Sequence, residues 1–87
     1  MKIYDYDGKK NICGSRIKAA RKRLKMTQDD LSARLQTNGV LIDRISLSRI
    51  ESGTRFVSDF ELKYFSKILE CSVLWLLTGD EEETGSF

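Results

Sequence analysis

An all-α fold is predicted by three observations. The 87 residues contain no proline and many strong helix formers. Apolar residues recur three and four positions apart. The stretches that carry them tend to open on a capping residue and close on a glycine. The length suits one domain, and a 40% hydrophobic fraction supplies a small core whose stability is marginal.

Residues 1–11, with Tyr4, Tyr6, Gly8 and Lys9-Lys10, show no sustained period and read as a flexible N-terminal lead-in. The first helix is expected over 15–25. Ile17, Ala20 and Leu24 make its inward stripe, and Arg16, Lys18, Arg21, Lys22, Arg23 and Lys25 crowd the remaining faces. That run of charge reads as a solvated face or as one turned to phosphate. Thr27-Gln28-Asp29-Asp30 resembles a capping box, in which the Thr27 hydroxyl accepts from the Asp30 amide and the Asp30 carboxylate reaches back. Leu31 and Leu35 then face inward, Ser32 allows close helix approach, and Gly39 stops the helix. Val40, Leu41 and Ile42 form an apolar connection to a short helix over 44–52, with Asp43 as its cap and Gly53 just past its end. Ser58-Asp59-Phe60-Glu61 is a second capping box, and the helix it opens, about 59–69, offers Phe60, Leu62, Phe65, Ile68 and Leu69 as core candidates. Ser72 caps a final helix, 73–78, stopped by Gly79. Residues 80–87 read as an acidic disordered tail.

Composition removes several function classes. No run approaches ~18 consecutive apolar residues, so no membrane partner is expected. The first residues lack the apolar core of a signal peptide, so a cytoplasmic location is expected. Cys13 and Cys71 are too few for a disulfide scaffold, and without histidine no metal site or cofactor is expected. No nucleophile–base pair or Gly-rich phosphate loop suggests an enzyme. Residues 14–79 hold 12 Lys and Arg against 7 Asp and Glu, while residues 80–83 add four negative charges. A modestly basic domain with an acidic tail is compatible with a nucleic-acid partner.

The helix at 44–52 concentrates the functional signal. Leu47 and Ile50 lie on an inward stripe, leaving Arg44, Ile45, Ser48 and Arg49 on the remaining faces. Arginine can donate two hydrogen bonds to guanine O6 and N7, serine can bond either kind of base edge, and isoleucine can rest on a thymine methyl. The alternative is an ordinary solvated face, with the arginines paired to acids such as Asp43 and Glu51 and Ile45 packed on the first helices.

Residues 12–79 resemble a Cro/repressor-type (XRE-family) helix-turn-helix DNA-binding domain. The resemblance rests on Arg16-Ile17-Lys18-Ala19-Ala20-Arg21, on Met26-Thr27-Gln28-Asp29-Asp30-Leu31-Ser32, and on Leu47-Ser48-Arg49-Ile50-Glu51-Ser52-Gly53. It continues through Arg55, Leu62 to Leu69, and Ser72-Val73-Leu74-Trp75-Leu76-Leu77. It implies a compact five-helix domain whose second and third helices form the DNA-binding pair. It also implies base contacts at Arg44, Ile45 and Arg49 with Ser48 beside them, and phosphate contacts at Thr27, Gln28, Ser46 and Arg55. Lys9, Lys10 and Arg16 are weaker phosphate candidates. Glu51 matches a structural position and is expected to brace the loop or pair with a first-helix arginine such as Arg21.

Two departures from that pattern stand out. The link through Gln36-Thr37-Asn38-Gly39-Val40-Leu41 is about five residues longer than the resemblance implies, which bears on the approach angle of the reading helix. Glu70 stands where a glycine is common, a cost of order 1 kcal/mol if the left-handed geometry is kept. The resemblance implies a transcriptional regulator, in particular a repressor, with double-stranded DNA as partner. One two-turn helix reads few base pairs, so a homodimer on a palindromic operator is expected, joined through Leu74, Trp75 and Leu77 or through the lead-in. No small-molecule ligand is suggested. The competing reading is a protein-interaction module, such as an antitoxin-like or accessory subunit, which would bind a polypeptide without selecting a DNA sequence.

Overall fold

The computed structural model describes residues 5–80. Residues 81–87, most of the expected acidic tail, lie outside the described residues, as do residues 1–4 of the lead-in. Five helices follow in order: α1 (Gly14–Arg23), α2 (Gln28–Thr37), α3 (Arg44–Ser52), α4 (Asp59–Leu69) and α5 (Val73–Thr78). α1 is the central strut, packing against α3, α4 and α5, while α2 packs on α3 and α4.

Local cap chemistry sets most of the boundaries. Thr27 and Ser58 each close a complete capping box, with Asp30 and Glu61 returning to the cap amide. Asp43 accepts from the Ser46 amide and Ser72 from the Trp75 amide. At the far ends, α2 and α3 give way to Gly39 and Gly53, both at positive φ. In each case the next two amides fold back on the last turn: Gly39 to Gln36 and Val40 to Leu35, then Gly53 to Ile50 and Thr54 to Arg49.

α1 stops at Arg23, two residues earlier than its period suggests. The same fold-back ends it, with Lys25 donating to Lys22 and Met26 to Arg21, which forces Lys25 to φ 59°. α4 ends likewise at Glu70, φ 55°, where Cys71 donates to the Ser66 carbonyl. Two side-chain-bearing residues thus occupy a conformation that costs roughly 1–2 kcal/mol outside glycine. Glu70→Gly is therefore expected to stabilise the domain by about 1 kcal/mol, raising its Tm by roughly 4–8 °C. Thermal unfolding checks this; an unchanged or lower Tm would contradict the strain.

The core gathers Ile17 and Ala20 of α1, Leu31 and Leu35 of α2, Leu47 and Ile50 of α3, Phe65 and Leu69 of α4, and Leu76 of α5. Each large side chain fully withdrawn from water contributes about 1.5–3 kcal/mol. Cys71 fills a small apolar site at the edge of this cluster, and Cys13 lies at the start of α1. Phe60 departs from expectation: it is 60% exposed. The buried stripe of α4 runs through Glu61, Phe65, Ser66 and Leu69, and Phe60 lies one step off it in the first turn.

The long link occupies residues 38–43. Val40 and Ile42 turn into the core while Leu41, between them, is 80% exposed. The Ser32 hydroxyl donates to the Ile42 carbonyl and so ties the link to the middle of α2. Two buried aliphatics and this bond pin the added length on either side of its exposed midpoint. Part of the lead-in also has defined structure: Tyr6 and Lys9 exchange backbone hydrogen bonds across a turn, and the Lys10 amide donates to Gly53 O at 2.8 Å.

Candidate nucleic-acid interface

α3 buries Leu47 and Ile50 completely and turns Arg44, Ile45, Ser48 and Arg49 to solvent. The 3.6-residue period leaves no other arrangement once those two aliphatics enter the core. Ile45 is 60% exposed and does not pack on the first helices. Arg44 Nε lies 3.8 Å from Asp29 Oδ1 on α2, a pair open to water on both sides.

The opposite end of α3 is fixed by a buried polar cluster. Glu51 accepts a forked pair from Arg21 of α1, Nε at 2.7 Å and Nη2 at 3.0 Å, and a third bond from Gln28 Nε2 at 3.1 Å. Arg21 Nη1 also donates to the Met26 carbonyl at 2.9 Å. Hydrogen bonding to Glu51 raises the Arg21 pKa further above its ordinary value. The brace anticipated for Glu51 is therefore present, and it joins α1, the turn after it, the start of α2 and the end of α3.

A second brace was not singled out from the sequence. Asn11 Oδ1 accepts from the Gly14 amide at 2.8 Å, while its Nδ2 donates to Ile50 O at 3.0 Å and Arg55 O at 2.7 Å. An asparagine three residues before a helical amide is a local signal that could have marked the first of these bonds. Its reach to residues 39 and 44 positions away has no sequence signature.

The residues expected at phosphate are each already bonded within the protein. The Thr27 hydroxyl accepts from the Asp30 amide, and Gln28 donates to Glu51. Ser46 sits in the first turn of α3 with its amide on Asp43. Arg55 forks onto Glu61 at 3.1 Å through both terminal nitrogens and also donates to Phe56 O. Arg16, a weaker candidate, turns away altogether: it caps α5 by donating to Leu76 O and Leu77 O, both at 3.1 Å. The aliphatic stem of Lys9 lies over Gly53, and Lys10 pairs with Asp5 at 3.1 Å.

Electrostatics favour ionised caps. Backbone hydrogen bonds from Ser46 and Thr27 lower the carboxyl pKa values of Asp43 and Asp30. Burial pushes the Glu61 carboxyl up, but the Arg55 fork and the Ser58 amide together bring it below its ordinary 4.5. A folded-state value below the unfolded one gives stability that is complete above the ordinary glutamate range and lost as pH falls through the folded value. Acid unfolding should therefore begin below about pH 4.5, and Glu61→Gln should flatten that limb while lowering stability at pH 7. A urea midpoint followed from pH 7 to 3 checks it; parallel curves for the two proteins would remove Glu61 from the acid response. Burial raises both thiols, Cys13 to about 11, so neither is a reactive thiolate near neutrality.

This architecture has known relatives. A family described as helix-turn-helix matches residues 17–76. Over 70 residues the chain is 39% identical to the HTH-type transcriptional regulator DicA of Escherichia coli strain K12, covering 80% of this chain and 48% of that protein. The chain thus spans about half the length of that relative. Among solved structures, the P22 c2 repressor protein, in complex with synthetic operator 9T in the presence of Tl+, aligns with a TM-score of 0.64 at 34% identity. That alignment covers 80% of this chain and 98% of the repressor chain. Together with the braced α2–α3 pair, these matches show that the chain belongs to the Cro/repressor-type helix-turn-helix family.

Proposed function

We propose that this protein is a sequence-specific double-stranded-DNA-binding transcriptional regulator, acting as a repressor, that lays α3 in the major groove. The observation that carries this reading is the division of α3 into a fully buried stripe and an outer face of Arg44, Ile45, Ser48 and Arg49. Those four side chains supply two bidentate donors, one hydroxyl and one apolar surface, the set that distinguishes base pairs in the major groove. DicA is a transcriptional regulator and the P22 c2 repressor is seen on an operator, which supports the same role here.

Phosphate contacts then position the domain. The first-turn amides of α2 and α3 serve this purpose, with Thr27, Gln28 and Ser46 around them. Arg55 adds positive charge to the loop after α3 while its fork holds Glu61. α3 spans too few base pairs for useful selectivity, so two copies bind a palindromic site one helical turn apart. Exposed Leu74 and Leu77 on α5 are the candidate contact between them.

Selection of bound sites from random duplex DNA at two salt concentrations tests the proposal. A palindromic consensus whose affinity falls steeply with salt is expected. No enriched sequence at either concentration would sink the idea. With the site in hand, Arg44→Ala and Arg49→Ala should each cost roughly 1–3 kcal/mol and relax preference at one position. Arg55→Ala should weaken every sequence alike; a changed base preference in titrations with single-base variants would contradict its placement.

A further inference from the structure

Among the described residues, Asp7, Lys25 and Glu70 are at positive φ without being glycine. Aspartate visits that conformation readily, because its short polar side chain can bond the local backbone, but lysine and glutamate have no such help. Lys25 thus keeps a long cation where the backbone favours glycine, and nothing within the described domain uses that cation. Its amide closes the end of α1, yet among the described residues its ammonium makes no hydrogen bond or ion pair, and the residue is exposed. The acids nearest in sequence are engaged elsewhere, Asp29 with Arg44 and Asp30 with the Thr27 amide. Two peptide units separate Lys25 from Thr27, so their Cα atoms lie no more than about 7.6 Å apart. The turn between them is held by the Met26 amide on Arg21 O and by Arg21 Nη1 on Met26 O. Arg21 is in turn forked onto Glu51 of α3. The base of the Lys25 side chain is therefore fixed relative to both α2 and α3, while a flexible four-carbon stem carries its charge.

We infer that Lys25 is a phosphate-contacting residue that neutralises the DNA backbone beside Thr27 and Gln28, and that the domain gives up stability to keep it there. This rests on the proposed DNA-binding function. Strain retained at a residue with no internal role for its charge is accounted for when the charge acts on a partner. An ammonium is a compact point charge, so its attraction to a phosphate does not depend on the bases nearby. Lys25 accordingly positions the domain on any duplex and adds nothing to the choice of sequence.

The test compares Lys25→Gly and Lys25→Gln with Glu70→Gly. Each is measured for Tm and for binding across a salt series, on the site selected by the unaltered protein and on random-sequence duplex. Lys25→Gly should raise Tm by roughly 4–8 °C. It should nevertheless bind both DNAs about 5-fold more weakly at about 0.15 M salt, the counterion-release value of one phosphate contact. Its slope of log affinity against log salt should become shallower by about 0.9. Lys25→Gln, which keeps the strain, should show the same loss of slope without the gain in Tm. Glu70→Gly relieves the matching strain between α4 and α5 and should raise Tm without moving the slope. A more stable protein that binds DNA less tightly is an outcome that a purely structural role for Lys25 does not give. An unchanged slope in both Lys25 variants, or a loss confined to the selected site, overturns the proposal while leaving the DNA-binding function in place. If the unaltered protein binds no duplex DNA, it is that function which fails.

Discussion

Glu51→Ala should be the most damaging single substitution of a charged residue near the interface, lowering stability by about 3–5 kcal/mol. The truncation leaves Arg21 buried without its partner, since the guanidinium places two of its bonds on Glu51 and the side chain is 9% exposed. It also strands the Gln28 amide. Against a total of 5–15 kcal/mol for a typical domain, such a loss leaves the fold close to its unfolding midpoint. The corresponding fall in Tm is more than roughly 12 °C. Urea unfolding of the purified variant reads the effect directly. Glu51→Gln, which keeps an acceptor for Arg21, should lose less. A loss under about 1 kcal/mol for the alanine variant would mean that the cluster does not hold α3.

Gly14→Ala should cost about 3 kcal/mol, which reverses the usual sign for such a change in a helix. Glycine within a helix is ordinarily 0.5–1 kcal/mol worse than alanine. Here an added Cβ would stand 2.1 Å from the Ile50 carbonyl oxygen and 2.9 Å from Asn11 Oδ1. The first neighbour is backbone at the end of α3, so α1 and α3 must separate to make room. The Asn11 bond to that same carbonyl would be strained with them. Thermal unfolding settles the sign. A stabilised Gly14→Ala protein would show that the two helices do not approach this closely in solution.

The parts of the fold legible in the sequence are those governed by chemistry within a few residues. The starts of α2, α3, α4 and α5 follow from Thr27, Asp43, Ser58 and Ser72, because a cap is a bond between near neighbours. The end of α1 was not legible, because the fold-back of the Lys25 and Met26 amides holds Lys25 in a conformation its side chain does not favour. Phe60 illustrates the weakness of hydrophobicity alone: the register of α4 follows Phe65 and Leu69, and the aromatic one step off that stripe stays in water. On the candidate interface, the outward face of α3 could be read from Leu47 and Ile50. The partners of the surrounding polar groups could not. Arg55 meets Glu61 through the course of the loop before α4, Arg16 meets α5 only through the way the helices pack, and Asn11 joins residues about forty positions away.

The asymmetry of α3 also shapes its motions. Its C-terminal half is tied to α1 by Glu51 and, through the Ile50 carbonyl, to Asn11, whereas its N-terminal half follows a link with an exposed midpoint at Leu41. Amides of the last turn should consequently exchange with solvent only through opening of the whole domain, and those of the link through small local excursions. If α3 enters the groove as proposed, the half already held by these bonds surrenders little backbone entropy on binding. In the proposed complex the ordering cost of association then falls on the long side chains of Arg44 and Arg49, the part of the proposed surface that must adapt to each sequence it meets.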